Sequence, residues 1–314
     1  MIKFLLNNLL TSIKNIFGFA LIKEQLLDIK VLAAQTFINQ IKIMPAATKL
    51  SDVEFKVFSQ FGDDGILQYL IYHLNIPSNA QAFVEFGVEN YQESNTRFLL
   101  MNNNWRGLIM DGLESNMEHV KRSSYYWKHD ITAKAAFIDT ENINHLISSS
   151  GFEDEIGILS IDIDGNDYWI WNEITVVKPI IVVAEYNSIF GCEFPLSIPY
   201  NQAFVRSKAH YSNLYWGCSL AALNHLAVKK GYVFSGCNGA GNNAYFVRND
   251  YVNNYVPRPS LENGFKESKF RESRDKSGSL TFLNSSDRLK VIRDLPLINV
   301  ITGETNYINK IFQV

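Results

Sequence analysis

Between residues 82 and 187, short apolar runs closed by polar or acidic residues alternate with segments of helical spacing. Residues 156–161 and 180–183 lack a helical period and are rich in β-branched side chains, the pattern of strands buried on both faces. The first leads into Asp162, Ile163, Asp164 and Gly165, the second into Glu185 and Asn187. Upstream, residues 82–86 run into Gly87, residues 107–110 into Asp111, and the aromatic stretch 125–129 into Asp130, so three more strands are expected there. Residues 63–71, 96–100, 117–123 and 143–149 carry helical spacing; Asp63 and Asp64 favour a helix start, and Ser94 or Asn95 is placed to cap the second. A further helix is expected from Ser219. Residues 232–234 and 244–248, joined by a Gly/Asn-rich turn, form a hairpin. Strands alternating with helices predict a doubly wound, mostly parallel α/β sheet over residues 51–250.

The flanks follow other rules. In residues 1–27, Ile2, Leu5, Leu9, Ile13, Ile16, Phe17 and Ala20 recur at helical spacing, while Asn7, Asn8, Lys14 and Asn15 interrupt any apolar core long enough for a signal peptide or a membrane span. Residues 31–43 form a second helix ending before Pro45. Residues 1–50 are thus an amphipathic helical arm with two open roles: packing on its own domain or a second subunit, or lying on a membrane surface. Residues 251–314 are a C-terminal extension, with a helix and strand expected over 289–301. In it Lys266, Lys269, Arg271, Arg274 and Lys276 alternate with Glu267, Glu272 and Asp275. That is a solvated face, or a place where Arg271 or Arg274 folds back onto a phosphate.

Composition narrows the classes. With 46% hydrophobic and 19% charged residues, the 314-residue chain buries a proper core. Its net charge of −3, from 29 basic and 32 acidic residues, disfavours a nucleic-acid partner. Cys192, Cys218 and Cys237 are odd in number and have no CxxC spacing, which argues against a disulfide framework or a cysteine zinc site and suits a reducing cytoplasm.

Ligands of open α/β sheets sit outside the carboxyl ends of the strands, so Asp162, Asp164, Glu185 and Asn187 are expected to line one crevice. Gly87, just past a strand, lets a ligand approach the backbone. Asp111, somewhat beyond the usual interval of about 20 residues, is placed to grip ribose hydroxyls. The loop holds one glycine, and Glu89 and Glu93 repel phosphates, so an adenosine carrying a cation fits better than a pyrophosphate. S-adenosylmethionine is such a ligand. Asp162, Asp164, Glu185 and Asn187 also offer the all-oxygen set that Mg²⁺ or Ca²⁺ prefers, or cap helices and bind hydroxyls instead. His210, in a polar-aromatic loop after the fifth strand, is the candidate base; His129 flanks Asp130, and His225 sits in an apolar helical run. Tyr200, Phe204, Tyr211 and Tyr215 offer aromatic faces for sugar rings, or an aromatic lid over a core.

Residues 59–65 (Ser-Gln-Phe-Gly-Asp-Asp-Gly), 84–87 (Val-Glu-Phe-Gly), 94–96 (Ser-Asn-Thr), 160–169 (Ser-Ile-Asp-Ile-Asp-Gly-Asn-Asp-Tyr-Trp), 185–187 (Glu-Tyr-Asn) and 215–220 together resemble the FkbM-type class I S-adenosylmethionine-dependent methyltransferases, over residues 51–248. The segment Asp162-Ile163-Asp164-Gly165 looks like that family's Asp-x-Glu-Gly signature; the family's glycine-richer first loop is reduced to Gly87. The resemblance implies a Rossmann-like seven-stranded sheet closed by the hairpin. It also implies O-methylation of a sugar hydroxyl in a surface glycan or in its nucleotide- or lipid-linked precursor. Glu85, Gly87, Ser94 and Asn95 would border the methionine end of the cofactor, Asp111 the ribose and Asp130 the adenine amine. Asp162 would lie by the sulfonium, with Mg²⁺ at the two acidic strand ends. A non-catalytic glycan- or partner-binding protein keeping the fold is the alternative, and a metal-dependent hydrolase or transferase without the adenosyl donor the third. The cytoplasm, at the inner face of the membrane if the arm binds lipid, is the expected location.

Overall fold

Alternate side chains of a strand face opposite ways, and here both faces are apolar. Phe83, Ile109, Ile158, Ile181 and Val183 join the core on one side of a sheet, while Val84, Leu108, Leu159, Val182 and Ala184 join the core on the other. The computed structural model describes residue 10 and residues 18–47, 49–270 and 272–314. In chain order the strands are β1 (Ala82–Phe86), β2 (Arg106–Asp111), β3 (Ile131–Ala135), β4 (Asp154–Ile161), β5 (Val177–Glu185), β6 (Leu196–Ser197), β7 (Tyr232–Cys237), β8 (Asn243–Arg248), β9 (Pro296–Asn299) and β10 (Thr305–Tyr307). Seven form one sheet in the order β3-β2-β1-β4-β5-β8-β7. Its first five strands are mutually parallel, and β8 runs antiparallel to both β5 and β7. This is the expected Rossmann-like α/β sheet. The order reverses between β1 and β4, which opens the crevice in which such sheets hold ligands.

Helices Asp63–His73, Arg97–Asn103, Glu114–Lys121, Ile143–Ser148, Asp167–Glu173 and Leu220–Lys230 flank the sheet. Asp63 and Asp64 fall in the first turn of their helix, and Ser219 caps the last by accepting from Ala222 N. The helix Arg97–Asn103 has no side-chain cap, because Ser94 and Asn95 are used elsewhere. Residues 125–130 are not a strand: hydrogen-bonded turns run from Ser123 to His129, and β3 begins only at Ile131. At the amino end, residues 31–43 belong to one helix, Phe19–Ile43; most of residues 1–17 lie outside the described region. Among the described residues no helix is long and apolar enough to cross a membrane.

The C-terminal helix Ser285–Val291 and strands β9 and β10 lie against the segment that follows β5. There β6, β9 and β10 make a small antiparallel sheet. Phe190, Leu196, Leu214, Ile292, Leu297 and Ile308 form its core.

Candidate functional site

The carboxyl ends of β1, β2, β4 and β5 meet around a cavity of about 400 Å³. Glu85, Gly87, Ser94, Asn95, Asp111, Asp162, Asp164 and Glu185 all line it. Glu89 and Glu93 add to its negative charge, and Arg206 is the single basic side chain in its wall among the described residues. A second cavity of about 180 Å³ shares Gln60, Glu185, Arg206 and Asn242 with the first, and adds Trp216, Phe270 and Glu272.

Gly87 joins the strand ends. Its φ is +76°, and a Cβ there would stand 1.4 Å from the carbonyl oxygen of Asp162. Its N–H donates to Met110 O at 3.0 Å. Only glycine allows that approach. Gly87 thus lines the cavity with bare backbone while admitting Asp162 on its other side.

Glu85 is buried and saturated. It accepts from Ser94 Oγ, Thr96 Oγ1 and the N–H groups of Asn95 and Thr96. Ser160 Oγ also donates to it at 3.3 Å, and Asn95 Nδ2 donates to Ser160 Oγ at 3.1 Å. Burial pushes Glu85 above the usual carboxyl range, against the pull of these donors. Its role is to hold the 94–96 loop at the cavity wall. Asp111 accepts from Glu89 N at 2.9 Å, Leu113 N at 2.9 Å and Asn116 Nδ2 at 2.8 Å. A carboxylate has about four lone-pair directions, so Asp111 retains accepting capacity on the cavity side.

Asp167 shapes the signature loop by accepting from Ile163 N at 2.8 Å and Gly165 N at 2.9 Å, with Asp164 in the left-handed region at φ 55°. Asp162, Asp164 and Glu185 place one carboxylate oxygen each within 4.8 Å of one another. Asp162 is driven well above the ordinary range by burial and by the Asp164 and Asp167 charges. Glu185 rises likewise through burial and Asp162, with Arg206 opposing. Its Oε2 is buried without a hydrogen-bond partner. The two half-buried carboxyls therefore compete for a proton.

Three expected members are absent. Asp130 precedes β3 instead of ending a strand, so it lies at the opposite edge, exposed and 3.7 Å from Arg106. Ala136, Phe137 and Ile138, which follow β3, occupy the wall assigned to it. Asn187 lines the smaller cavity instead, with its amide engaged: it donates to Leu214 O and Trp216 O and accepts from Ile189 N. His210 is bound to Ser212 Oγ at 2.7 Å and lies tilted against the Tyr211 ring, outside both cavities. Of the aromatic segment only Phe204 reaches the first cavity; Tyr200 bonds Thr140 and Tyr215 bonds Pro296 O. The guanidinium of Arg274 is taken by Glu272 and Gly278 O, and Arg271 lies outside the described residues.

Arg206 and the hairpin turn carried no local signal. Arg206 pairs with Asp164 at 2.5 Å, donates to Asn213 O at 2.9 Å and lies 4.7 Å over the Trp216 ring. Asn242 and Asn243 arrive because β8 starts at the carboxyl edge, opposite Glu185. Asn238 folds their turn, its Oδ1 accepting from the N–H groups of Gly241, Asn242 and Asn243. Asp63 fastens the turn by accepting from Asn238 Nδ2, Asn243 Nδ2 and Tyr245 OH.

No family model and no curated protein matches the chain. Among solved structures it is similar to the N-terminal domain of EvdMO1, crystallised in the presence of SAH and D-fucose, at 12% identity over 68% of this chain and 94% of that one, with a TM-score of 0.39. It is also similar to an O-methyltransferase family protein from Burkholderia thailandensis, at 11% identity over 66% and 59% of the two chains, with a TM-score of 0.32. At these scores the likenesses carry no argument of their own, and the fold stands on the strand order and directions above.

Proposed function

We propose that this protein is an S-adenosylmethionine-dependent methyltransferase acting on the hydroxyl of a sugar, in a glycan or its activated precursor. The observation that carries the reading is the convergence of Glu85, Asp111, Asp162 and Glu185 on one cavity at the point where the strand order reverses. The lining suits that donor. Asp111 has a free accepting direction for ribose hydroxyls, Ala136 to Ile138 offer a mostly apolar wall for a flat base, and the acids favour a cation over a phosphate. The resemblance of Asp162 to Gly165 to the FkbM-type Asp-x-Glu-Gly signature supports the same assignment.

When bound, the donor supplies a methyl group activated by a positively charged sulfur. The protein's part is alignment and proton management. Glu185 lines both cavities, so a hydroxyl entering from the smaller one meets it and Asp162 at the junction. There the carboxylate accepts the hydroxyl proton as the new C–O bond forms and the S–C bond breaks. The raised proton affinity of the Asp162–Glu185 pair brings it closer to that task than an exposed carboxylate. Trp216 and Phe270 give the smaller cavity the aromatic surface that sugar rings pack against.

A second reading, in which Mg²⁺ sits between Asp162, Asp164 and Glu185, is favoured by the unpartnered Glu185 Oε2 and the all-oxygen donor set. Arg206 opposes it, since it already neutralises Asp164. Calorimetry with S-adenosylmethionine and S-adenosylhomocysteine, followed by transfer of labelled methyl to sugar acceptors with and without EDTA, tests both readings. Binding of neither adenosyl compound ends the first and leaves a binding protein on a methyltransferase scaffold. Activity unaffected by EDTA ends the second.

A further inference from the structure

The helix Phe19–Ile43 has two apolar faces, and its own chain uses one. Ala34, Ile38 and Ile41 are buried, and Leu27 and Val31 pack partly against Val57, Phe58 and Phe98. On the other side Ile22, Leu26, Ile29, Ala33, Thr36, Gln40 and Ile43 are all exposed, reaching 55% at Leu26, 61% at Ile29 and 85% at Ile43. Their spacing is 4, 3, 4, 3, 4, 3, a seven-residue repeat held over three heptads. That is the narrow seam of a two-stranded coiled coil.

We propose that this seam pairs, in parallel and in register, with the same helix of a second copy of the chain. An isologous pair closes on itself and uses one patch twice. The parallel direction follows from the polar positions. In register, Thr36 meets Thr36 and Gln40 meets Gln40, so each finds a hydrogen-bonding partner. Run antiparallel with the helices fully overlapped, Gln40 would face an isoleucine of the other seam position, Ile22 or Ile29, and its amide would be buried unpaired, at a cost of about 1–3 kcal/mol. The flanks agree: in a parallel pair the position just before one core residue lies beside the position five residues on in the partner helix. Leu32, 70% exposed, thereby covers Phe37 of the second copy, itself 49% exposed. A membrane surface fits less well. The charged residues described beside the seam, Asp28, Lys30 and Lys42, nearly cancel and do not form the basic cluster that draws a helix to anionic lipid. The face packed on the domain lies opposite the seam, so pairing displaces none of it.

Sedimentation equilibrium of the full chain tests the pairing. The wild type is expected at twice the chain mass, and Leu26→Glu/Ile29→Glu at the single-chain mass with unchanged helicity by circular dichroism. Ala33→Asp, a milder change at the same seam, is expected to weaken the dimer without unfolding it. In a Cys192→Ser background, Gln40→Cys is expected to form a disulfide with its own copy under mild oxidation. A monomeric wild type, a dimer indifferent to both sets of changes, or a monomer that cosediments with phosphatidylglycerol vesicles would overturn the proposal. A dimer in which Gln40→Cys does not cross-link would overturn the parallel register.

Discussion

Gly87→Ala is the most exacting perturbation of the site. The added methyl would stand 1.4 Å from Asp162 O, where ordinary contact begins at 3.4 Å, so the ends of β1 and β4 must separate by about 2 Å. Two costs are involved: the left-handed conformation, about 1 kcal/mol, and the forced separation, about 1–3 kcal/mol. Gly231→Ala isolates the first, since Gly231 is left-handed at φ 87° and ψ 34° and its hypothetical Cβ meets only Asn249 Nδ2, at an ordinary 3.9 Å. Thermal unfolding is expected to fall by roughly 2–4 °C for Gly231→Ala and roughly 4–16 °C for Gly87→Ala. Because the separation moves Asp162 away from Glu85 and Asp111, the affinity for S-adenosylhomocysteine by calorimetry is expected to drop about tenfold or more, one charge-assisted hydrogen bond's worth. A Gly87→Ala protein that melts and binds like Gly231→Ala would refute the claim that this contact sets the cavity.

Glu185→Gln removes the proposed proton acceptor while keeping shape, so kcat is expected to fall about 10²-fold or more while calorimetric donor affinity holds; equal loss of both would place Glu185 in donor binding instead. Asp64, held by the N–H groups of Val57, Phe58 and Ser59, is raised by burial from 3.8 to about 6. A folded value above the unfolded one means that its stabilising share is complete below pH 3.8 and is lost as pH rises through about 6. Asp64→Asn is therefore expected to flatten the decline of melting temperature over that window, and an unchanged slope would show that Asp64 does not titrate there. Arg206→Ala is expected to cost about 1–2 kcal/mol in denaturant unfolding, chiefly from the ring contact with Trp216, since the partly exposed ion pair with Asp164 contributes little. Arg206→Lys should recover only part of this, and full recovery would show that charge alone matters.

What could be read from residues alone was local. Four of the five apolar runs did become strands, which bring Glu85, Asp111, Asp162 and Glu185 to the carboxyl edge. The exception is instructive: residues 125–129 are as aromatic as a strand, but their backbone closes into turns, and the six-residue displacement of β3 carried Asp130 to the wrong edge. Side-chain direction was also beyond reach. Asn187 stands where a ligand residue should, yet its amide satisfies carbonyls 27 and 29 residues away, and His210 spends its ring on Ser212. Arg206 and Asn242 enter through tertiary contacts with no spacing to announce them.

The antiparallel course of β8 has a consequence for how such a protein diversifies. Because this one strand begins where the others finish, the turn ahead of it can change length or composition while every rung from Glu185–Asn243 to Ile181–Val247 stays paired. Asn238 and Asp63 act as a clasp for that turn. Replacing what the clasp holds would re-cut the mouth of the cavity and leave the wall formed by the ends of β1 and β2 as it was.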